Sequence, residues 1–162
     1  MAKPLVLPEE QVLKIQSILD ELQGKCKSDY VFLADVSGQL IQARGRIGSM
    51  DIVALAALTA SNMAATTEMA KRMGEAKGFR LLFHEGEHEN IYLSHVGASF
   101  MLAVVFSSDV QIGLVRLFSK RAVEELAALA EAYESTVASG PSIMDADFGA
   151  ALDQELDRLL PS

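Results

Sequence analysis

Tyr30-Val-Phe-Leu-Ala-Asp-Val-Ser-Gly-Gln-Leu-Ile-Gln-Ala-Arg44 reads as a β-hairpin around which the rest of the chain is arranged. Residues 30–34 form an unbroken run rich in aromatic and branched side chains, as in a central strand. Ser37-Gly38 supplies the turn, with Gly38 free to take positive φ. Residues 39–44 alternate polar and apolar, as a half-buried strand does. Before the hairpin, Pro8 suits a first helical turn and Glu9-Glu10 complement the positive end of a helix dipole. Val12, Ile15, Leu19 and Leu22 then recur at helical spacing, Gly24 is placed to close the helix, and Glu10, Lys14 and Glu21 fall on the water side.

After the hairpin, Asp51 opens a long helix reaching about Met73, whose stripe Leu55, Leu58, Asn62, Thr66, Met69 and Met73 is read as facing the sheet. Strands are expected at 79–83, 91–95 and 100–106. Turn formers separate them: Glu85-Gly86-Glu87 with Asn90, then Val96-Gly97-Ala98-Ser99. Ser108 and Gln111 have capping-box spacing before a last helix with the stripe Val115, Phe118, Ala122, Leu126, Leu129 and Tyr133. The order is α-β-β-α-β-β-β-α. Consecutive strands on short turns make an antiparallel sheet, and helices must cover its faces, giving an α/β sandwich over residues 5–138.

Composition narrows the function. One domain fits the 162 residues. No stretch approaches the ~18 uninterrupted apolar residues of a membrane span, and the N-terminus offers no signal-peptide core. Cys26 is the single cysteine, which precludes an intrachain disulfide and suits a reducing cytoplasm. A net charge of −8, with Lys and Arg scattered, argues against a nucleic-acid surface. Residues 139–162 form a linker and an acidic segment. Beyond Gly140 it holds Asp145, Asp147, Asp153, Glu155 and Asp157 against Arg158, a net −4. Phe148, Leu152, Leu156 and Leu159 recur there at helical spacing. A helix so short is marginal alone in water, so the stripe either docks on its own domain or a partner, or the tail is disordered.

Enzyme chemistry finds no foothold. There is no phosphate-cradling Gly-x-x-x-x-Gly-Lys-Ser/Thr loop and no Gly-x-Ser-x-Gly elbow, and Gly45-Arg-Ile-Gly48 has the wrong spacing for a dinucleotide fingerprint. His84, His88 and His95, with Glu85, Glu87 and Glu89, come nearest to a metal site. His84-x-x-x-His88, however, converges on a helix, and Gly86 and Asn90 indicate a turn, so surface histidines are the expectation and no metal or cofactor is assigned. Cys26 reads as structural, and Asp35 as hairpin chemistry.

The second helix is the informative element. From Ile52 to Thr67 its sixteen residues carry no charge, and six are alanine. A helix on one face of a sheet should show charge to solvent. With the Leu55/Leu58/Asn62/Met69 side toward the sheet, the outermost residues are Ala57, Ala60, Ser61 and Ala64, followed by Glu68 and Lys71. One flank holds Ala56, Met63, Thr67 and Ala70. The other two long helices have clear polar faces and cannot bury this one, so an interface between copies or with a partner is expected.

The segments Val31-Phe-Leu-Ala-Asp with Gly38-Gln-Leu-Ile, Leu58-Thr-Ala-Ser-Asn-Met-Ala-Ala, Phe83-His-Glu-Gly-Glu with Ile91-Tyr-Leu, and Gly113-Leu-Val-Arg-Leu together resemble the roadblock / dynein-light-chain superfamily. The likeness covers roughly residues 5–135 and is greatest to the bacterial mutual gliding-motility protein B type. It implies a roadblock/profilin-like fold, a five-stranded antiparallel sheet with one helix on one face and two on the other. It also implies a cytoplasmic homodimer joined through the third strand and paired second helices, with Ala56, Met63, Thr67, Ala70, Phe79 and Leu81 at the dimer interface. Such a dimer is a non-enzymatic regulator of cell polarity or gliding motility that binds one Ras-like small GTPase. It accelerates GTP hydrolysis by remodelling the GTPase's own switch residues, and its C-terminal helix aids nucleotide exchange. Carried over by position, Ala60, Ala64 and Glu68 contact the GTPase; Ala57, Ser61 and Lys71 on the same outer face, and Phe148, Leu152 and Leu156 of the tail, are expected to join that contact. Glu68 departs from the small residue expected there. Arg44, Arg46, Arg72 and Arg80 are conceivable arginine fingers, and none is favoured. Two other readings are a roadblock-type scaffold or adaptor without GTPase-activating activity, and a small-ligand or metal sensor using the histidine hairpin.

Overall fold

In the computed structural model, which describes residues 6–139, β1 (Tyr30–Asp35) lies beside β5 (Phe100–Ser107) near the middle of a five-stranded sheet. The order is β2-β1-β5-β4-β3, with β2 (Leu40–Gly45), β4 (Glu89–Val96) and β3 (Leu81–His84), and every neighbouring pair is antiparallel. Helices α1 (Glu9–Cys26) and α3 (Ile112–Ser139) cover one face, and among the described residues α2 (Ile52–Arg72) is the one helix on the other. The expected element order and layering are both present. The acidic segment with Phe148, Leu152, Leu156 and Leu159 lies outside the described residues.

Period-two alternation builds two cores. On β1, Val31 and Leu33 face α1 and α3, whereas Tyr30, Phe32 and Ala34 face α2. On β5, Leu102, Val104 and Phe106 go one way and Met101, Ala103 and Val105 the other. Direct pairing of Phe32 with Ala103 and Leu33 with Leu102 keeps these sets in register. Asp35 closes the hairpin as expected: its Oδ1 accepts from the Ser37 N–H (2.9 Å), the Ser37 hydroxyl (2.6 Å) and the Gln39 N–H (2.9 Å). A bulge at Ile41 follows, since Leu33 pairs with Gln42 but Ala34 with Leu40.

Three local readings need correction. Gly24 does not end α1, because Cys26 extends the buried stripe of Ile15, Leu19 and Leu22 by another turn, and Lys27 takes the left-handed cap at φ 52°. Ser108 and Gln111 form no capping box. The Ser108 N–H donates to the His88 carbonyl instead (2.9 Å), and α3 begins at Ile112. The third correction concerns α2. Its sheet-facing residues are Ala56, Thr59, Ala60, Met63 and Ala70, one residue out of step with the expected stripe, or roughly 100° of rotation. The sheet already presents Phe32, Met101 and Leu93 on that side, so alanines let the helix seat closely, with Leu55 packed at the margin.

The seat is tightest at the β1–β2 turn. Gly38 has φ 94°, and a Cβ there would lie 2.8 Å from the Ala57 Cα and 3.3 Å from the Ala60 Cβ. Gly48 also has positive φ (58°) but nothing within 4 Å. Gly48→Ala should therefore cost only the left-handed penalty, about 1–2 kcal/mol. Gly38→Ala must also lift α2 and should cost more, about 2–4 kcal/mol. Equal shifts of the two urea midpoints would refute the close approach.

Candidate functional site

Asp51 starts α2 by accepting the Ala54 N–H at 3.0 Å. From there the helix crosses the sheet with a largely apolar face in solvent. Val53 is 61 % exposed, Leu58 67 %, Met69 56 % and Met73 68 %. Between them lie exposed Ala54, Ala57, Ser61, Ala64 and Ala65. Charge appears only in the last turns, where Arg72 (3.2 Å) and Lys71 (3.9 Å) approach the Glu68 carboxylate. The five-stranded sheet is about 19 Å wide, and a helix with its side chains spans about 10 Å. Two helices cover the opposite face. α2 covers about half of this one, leaving a groove on each flank.

The expected interface residues divide accordingly. Ala57, Ser61, Ala64, Glu68 and Lys71 are exposed, as a contact surface requires. Ala60 is not available, being buried against the sheet. Ala56, Met63 and Ala70, expected between copies, are also buried inside their own domain. Thr67 is half-buried and donates to the Met63 carbonyl (2.8 Å). Phe79, expected to open the third strand, lies two residues before β3, which starts at Leu81; both are half-buried, and among the described residues β3 pairs with β4 alone. Leu58, Met69 and Met73 were assigned to the core from sequence and belong instead to the exposed surface. Asn62 and Thr66 carried the warning, because two polar residues fit poorly in a stripe laid on an apolar sheet.

One flanking groove, of about 360 Å³, runs between Ala60, Ala64, Thr67 and Lys71 on α2 and His95 and Ala98 at the sheet end. The other, of about 370 Å³, is lined by Tyr30, Met50, Leu55, His84, Glu85 and Glu89. There the Tyr30 hydroxyl donates to the Met50 Sδ (2.8 Å). Burial, aided by the Glu89 and Asp29 charges, pushes the Tyr30 phenol up to about 12. The His84 Nε2 lies 3.1 Å from the Asn62 Nδ2.

The three histidines do not converge. His84 pairs with Ile91 and His95 with Met101, which puts His84 and His95 roughly 14 Å apart along the sheet. Among the described residues no three His, Cys, Asp or Glu side chains group as metal ligands. Cys26 is fully buried, and desolvation raises its thiol to about 11, so it is poorly suited to nucleophilic attack. Three of the four arginines considered as fingers already meet carboxylates: Arg44 with Asp20 (3.0 Å), Arg46 with Asp29 (2.6 Å) and Arg72 with Glu68. None of the described helices is long and apolar enough to cross a membrane.

Against known proteins, the Roadblock/LC7 domain family model matches residues 14–106. Among solved structures, Myxococcus xanthus MglB is similar at 40 % identity and a TM-score of 0.75, covering 80 % of this chain and 96 % of that one. The gliding protein MglB of Thermus thermophilus is similar at 31 % identity and a TM-score of 0.75, covering 81 % and 98 %. A further MglB, described with a tetrameric arrangement, is 32 % identical with a TM-score of 0.76, covering 82 % and 99 %. No match is found among curated protein sequences.

The groove rim has a pH signature. Burial lowers the pKa of His95 below its ordinary value. Since the unfolded chain binds that proton more readily, the contribution of neutral His95 is present above the ordinary pKa and is lost as pH falls. From about pH 7 to about pH 5, His95→Gln should lose less unfolding free energy than the parent chain. Identical losses would show that this imidazole does not couple to folding.

Proposed function

The chain belongs to the Roadblock/LC7 domain family, and on that premise we propose that it is a homodimeric regulator of a Ras-like small GTPase. The observation that carries this reading is the charge-free outer face of α2 with Leu58 and Met69 in solvent. An apolar helix face that its own domain leaves bare is the kind of surface that binds protein. In this reading two copies meet through the open β3 edge, where Phe79 and Leu81 lie, and through the Leu58/Met69/Met73 side of α2. These three replace Ala56, Met63 and Ala70, which the domain's own core consumes. The paired helices present Ala57, Ser61 and Ala64 to one GTPase, with Glu68 and Lys71 at the margin. Glu68 fits better than its sequence position suggests, because Arg72 and Lys71 offset its charge.

The regulatory step is a shift of population. A platform that binds the hydrolysis-competent switch conformation about 100-fold more tightly than the relaxed one contributes about 2.7 kcal/mol toward it. Phosphoryl transfer depends chiefly on placement and charge stabilisation, so moving the partner's own residues into position suffices without an arginine from this chain. The segment with Phe148, Leu152 and Leu156 is assigned to contact with the GTPase and to nucleotide exchange. Location in the cytoplasm and a role in polarity or gliding motility belong to the same proposal.

Timed phosphate release from Ras-like GTPases of the source organism tests the reading. Acceleration that saturates at one GTPase per two chains is expected. Binding without acceleration would instead identify a scaffold subunit on the same platform. Ala64→Arg should abolish GTPase binding while light scattering still reports dimers. Leu58→Arg should shift the chain to monomers, and a Leu58→Arg dimer of unchanged affinity would refute the pairing surface.

A further inference from the structure

The groove between α2 and the Gly97–Ser99 turn has a candidate occupant in the same chain. Its floor is apolar, with Met63 and Met101, and Ala60, Ala64 and Ala98 along its walls. The α2 residues bordering it, Ala60, Ala64, Thr67 and Lys71, recur every three or four positions. They form one helix flank that can accept a second helix laid alongside. The groove continues into a trough of about 540 Å³ that shares Thr67, Lys71, His95 and Ala98 and adds Glu75, Lys77, Phe79 and Arg80.

Helix α3 delivers the chain to this end of the sheet. The Ser99 hydroxyl donates to the Glu134 Oε1 at 2.6 Å, and the Phe100 and Tyr133 rings sit 5.4 Å apart. A Cβ on Gly97 would lie 3.3 Å from the Ala130 Cβ, so the last turns of α3 press on one side of the hairpin whose other side borders the groove. The two helical layers are about 20 Å apart across the sheet, and the eight residues 140–147 can span about 26 Å. The linker is long enough to round the sheet end.

We propose that the stripe of Phe148, Leu152, Leu156 and Leu159 packs as a helix into this groove of its own chain. Charge favours this groove over the others. The tail is net −4 beyond Gly140, and Lys71, Lys77 and Arg80 outnumber Glu68 and Glu75 by one charge along the groove and its extension, with Glu68 already held by Arg72. The groove on the opposite flank of α2 presents Glu85 and Glu89 and repels an acidic segment. The cleft between α1 and α3 is smaller, about 160 Å³, and its charges balance across Glu21, Lys25, Arg121 and Glu125. Docking does not depend on the GTPase reading. Where that reading holds, the tail covers the Ala64 side of the platform in the free protein and must leave it before it can contact the GTPase.

A nitroxide on Gln154→Cys, opposite the apolar stripe in helical projection, tests this in the full chain with no GTPase present. Cys26 is buried and stays unlabelled. Amide signals of Ala64, Thr67 and Ala98 should lose most of their intensity. The loss should disappear when Leu152→Ser and Leu156→Ser are added, with the rest of the spectrum unchanged. Unaffected amides at those three positions, or losses centred on Ile18 and Phe118, would overturn the proposal. So would equal losses on isotope-labelled, nitroxide-free chains mixed with nitroxide-bearing ones, because the tail would then lie on a second copy.

Discussion

Phe32 and Leu33 stand side by side on β1 with their side chains on opposite faces of the sheet, and water reaches neither. The same holds for Met101 and Leu102 on β5, their near neighbours in the ladder. A pair of strands buried on both sides obliges the chain to supply helices above and below. Each large apolar side chain so buried contributes about 1.5–3 kcal/mol, so slipping the ladder by one residue would exchange the two cores and forfeit most of the fit. On the other side of β1, the turn at Asp35–Gln39 ties it to β2 through three hydrogen bonds to one carboxylate oxygen.

The helices answer the obligation unequally. α1 and α3 share one face, and Val115, Ala122, Leu126 and Ala130 mesh there with Ile15, Leu19 and Leu22. Among the described residues α2 is the one helix on the other face. It covers that face by closeness rather than width, using Ala56 and Ala60 where bulkier residues would hold it away. The larger side chains Leu58, Met69 and Met73 are thereby turned outward. The same substitution of small for large both seals the core and creates the apolar surface assigned here to partners.

This trade explains which parts of the molecule were legible in the sequence. The hairpin, the element order and the charge-free helix all follow from local pattern, and the four resembling segments identified the family from residues alone. The rotation of α2 did not follow. Pattern reading sends the largest side chains inward, and only the shape of the sheet beneath, with Gly38 pressed on Ala57, shows why the small ones go there. Gly24 misled for a related reason. Cys26, one turn beyond Leu22, continues the buried stripe and carries α1 past the glycine. The histidines looked like a cluster because sequence proximity hides strand register, which separates His84 from His95 by four residues of β4.

The two margins of the sheet differ in how they would receive another strand. Along β2 the backbone is distorted by the bulge at Ile41, and the strand ends at Arg44, tied to Asp20, and Gly45. Such features discourage edge-to-edge addition. Along β3 the open margin is Leu81-Leu82-Phe83, half-buried, uncharged and in regular register with β4. A sheet that accepts a neighbour on one side only cannot polymerise by strand addition. Two copies joined at that side close on a two-fold axis and leave only blunted ends. The asymmetry between the margins therefore leaves strand addition to the β3 side, where it would stop at a pair of chains rather than a filament.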